Sequence, residues 1–263
     1  MRDRIITLLT DFGTKDHYVA TMKGIILGIN PRCTLVDITH HIAPQGIEEG
    51  AFILAHAYAF FPKGTIHLSV VDPGVGGPRR PILFVTGSYF FVGPDNGLFT
   101  IALQREKVKK AVVLTKAKYF LSDVSDTFHG RDLFAPVAGH LSLGVSPMNF
   151  GEKVESWTEL SCRKPRMLEG KLVGEIIYVD AFGNLISNID KTQLSEFAKG
   201  RHFIVRIGKK CIGGLKIGYW EGKKNEPIAL VGSGGFLEIS VREGSAQKKL
   251  RVSKRNRIEI IRQ

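Results

Sequence analysis

Three carboxylates stand where apolar runs stop. Asp11 follows "RIITLLT", Asp37 follows "TLV", and Asp72 follows "TIHLSVV". In an open parallel sheet, ligands bind beyond the carboxyl ends of the strands, and an ionised carboxylate there accepts several hydrogen bonds. Asp11 lies in "TDFGTKD". Its two oxygens suit a pair of ribose hydroxyls, and a helix-capping or turn Asp is equally consistent with the spacing. Asp72 opens "DPGVGGPRR". Pro73 fixes its own φ while Gly74, Gly76 and Gly77 permit positive φ, so the loop can fold Arg79 back toward Asp72. Taken alone, the segment reads first as an exposed loop with unrelated charges. In "TFHGRDLF", His129 and Gly130 precede a helix start, where negative charge is favoured and where an imidazole titrates near neutral pH. A surface histidine beside a capped helix fits the segment equally well.

The second half carries two further candidates. "YVDAFGNLISNI" groups Asp180, Phe182 and Asn184 around a tight glycine: a carboxylate, an aromatic face and an amide. "LVGSGGFLEI" leaves Ser233 in a glycine loop whose free N–H groups can cradle a carboxylate. A β-turn explains either one by itself.

The elements that would position these residues follow from periodicity. Strands are expected at 4–10, 34–37 and 65–71, with helices at 17–29 and 46–61 between them and Asp16 as the first helix cap. Strand, helix, strand, helix, strand implies a parallel α/β sheet with right-handed crossovers. Short strands at 82–85, 89–92 and 111–114 and a helix at 132–143 follow. "GPDNG" at 93–97 is a turn cluster. Residues 151–169 read as an irregular linker. Beyond it, strands at 171–179, 185–189, 202–207, 228–231, 236–241 and 256–262 with one helix at 191–198 suggest a small β-sandwich or barrel. The expected organisation is an α/β domain with a central, mainly parallel sheet over 1–150, a linker over 151–169, and a smaller all-β, barrel-like domain over 170–263.

Composition narrows the class. The 263 residues are 43% hydrophobic and 24% charged, ordinary for a globular chain. No apolar run is long enough to span a bilayer, and "MRDRIITLLTDFG" lacks the pattern of a secretory leader; a cytoplasmic protein is expected. Cys33, Cys162 and Cys211 are scattered, which fits free thiols rather than a disulfide framework or zinc site. The net charge of +12 falls heavily on the last residues, Lys248, Lys249, Arg251, Lys254, Arg255, Arg257 and Arg262. These interleave with Leu250, Val252, Ile258 and Ile260, so a solvated strand face is the preferred reading over a nucleic-acid footprint.

Taken in order, "TDFG", "DITHHIAP", "VDPGVGG" plus arginine, "GPDNG", "FHGRD", "DAFGN" and "GSGGFLEI" closely resemble the S-adenosylmethionine hydroxide adenosyltransferase family, which is similar to the fluorinases and chlorinases. The resemblance covers nearly the whole chain. It implies an N-terminal α/β domain, a barrel-like C-terminal domain, and a homotrimer with the ligand between one subunit's N-terminal domain and its neighbour's C-terminal domain. The implied reaction is attack of water or hydroxide on the ribose C5′ of S-adenosylmethionine, giving adenosine and L-methionine, with no metal and no cofactor beyond the substrate. Asp72, Arg79 and His129 match the family's water-handling triad. Asp11, Asp16 and Gly130 are expected at the substrate from the first domain, and Asp180, Phe182, Asn184, Ser233 and Glu243 from the second. Of these, Asp11 would hold the ribose, Asp180 and Ser233 the methionine amino and carboxylate groups, and Asn184 the adenine with Phe182 nearby. The chain has Gln45 where fluorinases place a tryptophan and Gly130 where they place a serine, which argues against halide use. Arg242 stands where related sequences tend to have asparagine, which touches the adenine contacts. A non-catalytic sensor of S-adenosylmethionine or a nucleoside is the alternative from another class.

Overall fold

The computed structural model describes residues 4–263; residues 1–3, where the reading of a missing leader begins, lie outside the described residues. Among the described residues no helix is long and apolar enough to cross a membrane. The chain divides into two compact units, Met1–Leu160 and Ser161–Gln263.

The first unit runs β1 (Ile5–Thr10), α1 (Tyr18–Ile29), β2 (Thr34–Thr39), α2 (Ile47–Ala57), β3 (Ile66–Val70), β4 (Pro81–Val85), β5 (Phe90–Pro94), α3 (Thr100–Leu103), β6 (Lys110–Leu114), α4 (Ala135–Ser142) and β7 (Gly151–Val154). Its sheet order is β2-β1-β3-β5-β4-β6-β7. β1 is parallel to both β2 and β3, and β3 to β5; β4, β6 and β7 continue the sheet antiparallel. The chain leaves β1 for β2 on one side and returns to β3 on the other. That reversal opens a crevice at the carboxyl ends of β1 and β3, the place where such sheets take ligands.

Both faces of this sheet are covered, which explains the near-continuous apolar runs of β1 and β3. One core joins Ile6, Leu8 and Leu68 to Met22 and Ile26 of α1 and Val137 and Leu141 of α4. The other joins Leu9, Val71, Phe84 and Phe91 to Leu54 and Tyr58 on the α2 side. Each fully buried side chain of this size contributes about 1.5–3 kcal/mol, so the crevice sits on a rigid platform.

Two expectations need correction here. Residues 151–160 are not linker: β7 extends the first sheet, Trp157 packs edge-on against Phe84 at 5.3 Å, and Thr158 and Leu160 donate their N–H groups to Asp95 and Thr100. The first domain therefore continues to about Leu160. The helix expected from 132 begins instead with a π-helical turn, Gly130–Phe134, that leads into α4.

The second unit is an antiparallel sheet closing toward a barrel. It comprises β8 (Arg166–Leu168), β9 (Lys171–Val179), β10 (Leu185–Asp190), α5 (Lys191–Ala198), β11 (Phe203–Ile207), β12 (Lys210–Gly213), β13 (Pro227–Val231), β14 (Phe236–Val241), α6 (Ala246–Leu250) and β15 (Arg257–Arg262). The order is β12-β11-β15-β9-β10-β14-β13, with β8 beside β9. A bridge between Lys216 and Leu230 carries the chain after β12 back to β13. Alternate residues of β15, Ile258 and Ile260, are buried in the core. Arg257 falls on the opposite face and is exposed, whereas Arg262 shares the parity of Ile258 and Ile260 and lies over the Phe197 ring at 4.3 Å. α5 starts on a capping box: Asp190 accepts from the Gln193 N–H and Gln193 returns the bond to the Asp190 N–H.

Candidate active site

β1 and β3 end level, with Thr10 opposite Val70, so Asp11 and Asp72 emerge side by side from neighbouring strands. Asp11 is held by the loop after β2: its Oδ2 accepts the Gln45 N–H at 2.8 Å. Gln45 takes φ 64 to present that N–H, a conformation costly for a residue with a Cβ. The other carboxylate oxygen has no protein partner among the described contacts and can accept from a ligand. His40 ties the same turn twice, through its carbonyl to the Gly13 N–H at 2.7 Å and through Nδ1 to the Thr10 hydroxyl at 2.9 Å. Gly13 sits at φ +68, which accounts for the glycine in "TDFG".

The loop after β3 returns Arg79 to Asp72. Nε of Arg79 lies 3.0 and 2.9 Å from the two carboxylate oxygens and Nη2 lies 2.6 Å from Oδ2. Both side chains are nearly buried, 5% exposed for Asp72 and 9% for Arg79. The guanidinium also stacks over Phe134 at 5.4 Å. Gly76 makes the return possible: it has φ +73, and a Cβ there would lie 2.2 Å from the Asp126 carbonyl. The loop thereby packs against the segment that carries His129.

Arg79 Nη2 lies 2.7 Å from Nδ1 of His129. A guanidinium only donates, so Nδ1 must be the acceptor and a neutral His129 carries its proton on Nε2. Burial first, and the Arg79 charge second, push the His129 pKa below the usual histidine value, against the opposing pull of Asp72. Burial and the neighbouring guanidinium together favour the neutral ring.

Asp11, Phe12, Tyr18, Gln45, Asp72, Pro73 and Val75 line an open pocket of about 440 Å³, within the range of small-molecule sites. Asp72 is the triad member that lines it; Arg79 and His129 join it through Asp72. Phe12, Tyr18 and Phe128 form an aromatic cluster at its side, with centroid separations of 5.8, 5.7 and 5.1 Å. Sequence reasoning passed over these rings, although Phe12 and Phe128 stand inside "TDFG" and "TFHGRD". Gly130 adjoins the cluster: a Cβ there would meet Phe128, Met22 and Phe12 at 3.1–3.4 Å.

Two carboxylates do not join the pocket lining. Asp16 is exposed, and the residue at the start of α1 is His17, with no side-chain cap; the expected Asp16 cap is absent because the helix starts one residue later. Asp37 lies within β2 and is taken by Lys23 at 2.7 Å and His40 at 3.0 Å.

In the second unit the 180–184 turn is built around Asp180. Its Oδ1 accepts the N–H groups of Phe182 and Asn184, and its Oδ2 accepts the Asn184 side-chain amide. Gly183 is obligatory there, since a Cβ would overlap Ser245. Phe182 is 80% exposed. Ser233 is exposed in the β13–β14 turn, and no described hydrogen bond joins that turn to Asp180; its neighbour is Lys191, whose N–H donates to Gly235. Glu243 is exposed, in a left-handed conformation, and pairs with Lys224 at 2.8 Å. Arg242 reaches the carbonyls of Trp220 and Gly222. A group that the sequence did not single out lies nearby: buried Glu238 accepts from the Tyr219 and Ser240 hydroxyls, and burial plus that carboxylate push Tyr219 up to about 12. Among the described residues no group of three His, Cys, Asp or Glu side chains is set to hold a metal ion.

The chain is similar to two proteins named (R)-S-adenosyl-L-methionine hydrolase. One, from Methanocaldococcus jannaschii, is 38% identical over 99% of this chain and 98% of its own. The other, from Thermus thermophilus, is 35% identical over 94% and 95%. A fluorinase from Actinoplanes sp. is more distant, 28% identical over 77% of each chain. A crystal structure of an uncharacterised conserved protein from Thermotoga maritima superposes with a TM-score of 0.91 at 36% identity, covering 98% of this chain and all of the other. Residues 6–151 match the SAM hydroxide adenosyltransferase N-terminal domain and residues 174–259 the corresponding C-terminal domain. With both domains matched in order, and with the strand ends, the glycine loop and the histidine turn meeting around one crevice, this chain belongs to the SAM hydroxide adenosyltransferase family.

Proposed function

We propose that this chain hydrolyses S-adenosyl-L-methionine to adenosine and L-methionine by attack of water or hydroxide at the ribose C5′. The observation that carries the proposal is the contact chain Asp72–Arg79–His129 beside the Asp11 pocket, in a member of this family. The bond formed is O–C5′; the bond broken is C5′–S⁺, whose electrons leave on sulfur as the neutral thioether of methionine. No acid is needed for a leaving group that departs neutral. The catalytic task is an aligned and partly desolvated oxygen nucleophile. Asp72 accepts a hydrogen bond from the water and aims its lone pair. The Arg79 fork holds that carboxylate in place, the His129 Nε2–H donates to the attacking oxygen, and the proton lost by water passes to solvent as the O–C5′ bond forms. Asp11 holds the ribose hydroxyls. No metal or cofactor takes part.

The proposed working form is a homotrimer in the cytoplasm, with Asp180, Phe182, Asn184, Ser233 and Glu243 contributed to a neighbour's pocket. Asp180 already accepts three bonds within its turn, which presents the exposed Phe182 ring outward. Chromatographic assay of adenosine and methionine release from S-adenosylmethionine tests the activity. A halide in place of oxygen, read as 5′-chloroadenosine exceeding adenosine in high chloride, would overturn it, as would binding without turnover or reversible loss of all activity on chelation. Mixed assemblies of Asp11→Ala and Asp180→Ala subunits should regain activity that neither variant has alone; assembly without recovery refutes the shared site.

A further inference from the structure

The "GPDNG" turn takes no part in the chemistry above, yet its side chains grip the catalytic loop at both ends. β5 lies between β3 and β4 in the sheet, and Asp95 and Asn96 follow it directly. Asn96 Nδ2 donates to the Val71 carbonyl at 2.8 Å, and its Oδ1 accepts the Leu98 N–H at 3.2 Å. Val71 is the residue before Asp72. Asp95 Oδ2 accepts from Arg80 Nε at 2.8 Å and Nη2 at 2.5 Å, and the Asp95 N–H donates to the Arg80 carbonyl at 2.9 Å. Arg80 is the residue after Arg79. The Asp95 side chain is 2% exposed, and its Oδ1 takes the Thr158 N–H at 2.7 Å. Neither residue lines the pocket.

We propose that Asp95 and Asn96 are positioning residues, one turn fixing the two ends of the 72–79 loop so that Asp72 and Arg79 meet in register. The loop between them is rich in glycine and has little rigidity of its own. A displacement near 1 Å at such a site can cost about a hundredfold in rate, so a clamp placed on both flanks acts on the chemical step without touching substrate. The proposal rests on the hydrolase reading.

The test is Asn96→Ala, followed by kcat for adenosine release, the dissociation constant for adenosine by calorimetry, and thermal unfolding. We expect kcat to fall at least about tenfold while adenosine affinity stays within about twofold. In an Arg79→Ala background the same substitution should lower kcat less than about threefold, because residues acting through one group are not additive. Arg80→Lys, which keeps the charge but loses the fork on Asp95, should behave alike. Unchanged kcat, or an undiminished loss in the Arg79→Ala background, overturns the proposal. So does failure of both variants to unfold cooperatively, which would assign the turn to stability. A wild-type protein that releases no adenosine would instead sink the hydrolase reading itself.

Discussion

Arg79 offers the sharpest probe of the triad, because it holds two partners at once. Three of its contacts fall on Asp72 and one on His129 Nδ1. A lysine ammonium can remain on Asp72 but cannot span to the imidazole. Arg79→Lys therefore forfeits mainly one hydrogen bond to a charged donor, worth about 1.5–3 kcal/mol, or roughly 10- to 150-fold in kcat if it is felt in the transition state. Arg79→Met also strips the charge and leaves the nearly buried Asp72 carboxylate unpaired. That costs about 3–5 kcal/mol, part of it as lost stability.

The pH dependence separates the two variants. Protonated His129 would turn an N–H toward Arg79, so activity should fall as pH drops through the His129 pKa. In the wild type that pKa lies below the ordinary value, through burial first and Arg79 second, and the acid limb should lie correspondingly low. Arg79→Lys keeps the charge and should keep the limb. Arg79→Met removes one depressing cause and leaves burial alone against the pull of Asp72, so its limb should move to higher pH. The assay is kcat for adenosine release between pH 5 and 9, beside a directly measured adenosine dissociation constant. If the Met and Lys profiles coincide, or if affinity collapses while saturated turnover is normal, these residues hold ligand rather than tune the nucleophile.

Asp11→Ala should weaken adenosine binding by about 1.5–3 kcal/mol, the worth of hydrogen bonds to a carboxylate; unchanged affinity in calorimetry removes Asp11 from the ribose. His129→Ala removes one hydrogen bond to the attacking oxygen and should lower kcat about tenfold or more with adenosine affinity within about twofold, measured in the same way. His67 predicts an acid-labile core. It is buried among Tyr58, Tyr89 and Phe91, with Nδ1 bonded to Thr7. Burial drives its pKa down to about 3. The unfolded chain takes up that proton near pH 6.5, so the His67 contribution is complete above pH 6.5 and fades as pH falls toward 3. Between pH 7 and 4.5 the loss should be about 2–3 kcal/mol, read from urea midpoints, and His67→Phe should abolish that share of it.

Much of the candidate site's geometry was legible because Asp11 and Asp72 each close an apolar strand beside a glycine turn, while the family resemblance chose between readings that the spacing left open. Asp11 and Asp72 sit beyond β1 and β3, and Arg79 returns on the glycine loop. The pairing of Arg79 with His129 bridges a sequence separation of 50, and no local pattern encodes it. The ring cluster was missed for the same reason: Phe12, Tyr18 and Phe128 meet only once α1 and the π-helical turn are packed. Residues 151–160 read as linker because β7 is only four residues long and has two charged side chains, while Trp157 is held by a core the local sequence does not mention. The short strands β8 and β12 escaped likewise; tertiary pairing, not propensity, makes them strands. Asp16 shows the opposite error, a good cap residue one position too early to be used.

The arrangement also bears on why oxygen rather than halide is the natural nucleophile here. Asp72 faces the pocket as a carboxylate with acceptor capacity to spare. Water can donate to it; a halide cannot. A chloride about 4 Å from that carboxylate would meet a repulsion of about 4 kcal/mol at an effective dielectric of 20. Arg79 does not reverse this, because its fork is committed to the same carboxylate and neutral His129 adds no charge. An Asp–Arg pair with a neutral histidine sums to zero, so an anion gains little from entering, while a neutral water gains a hydrogen bond and an orientation. Gly130 strengthens the case, since it offers no hydroxyl beside Phe12 and Phe128. The same fork that holds the water's acceptor in place therefore also makes the pocket a poor halide site, and nucleophile choice becomes a consequence of how the 72–79 loop closes.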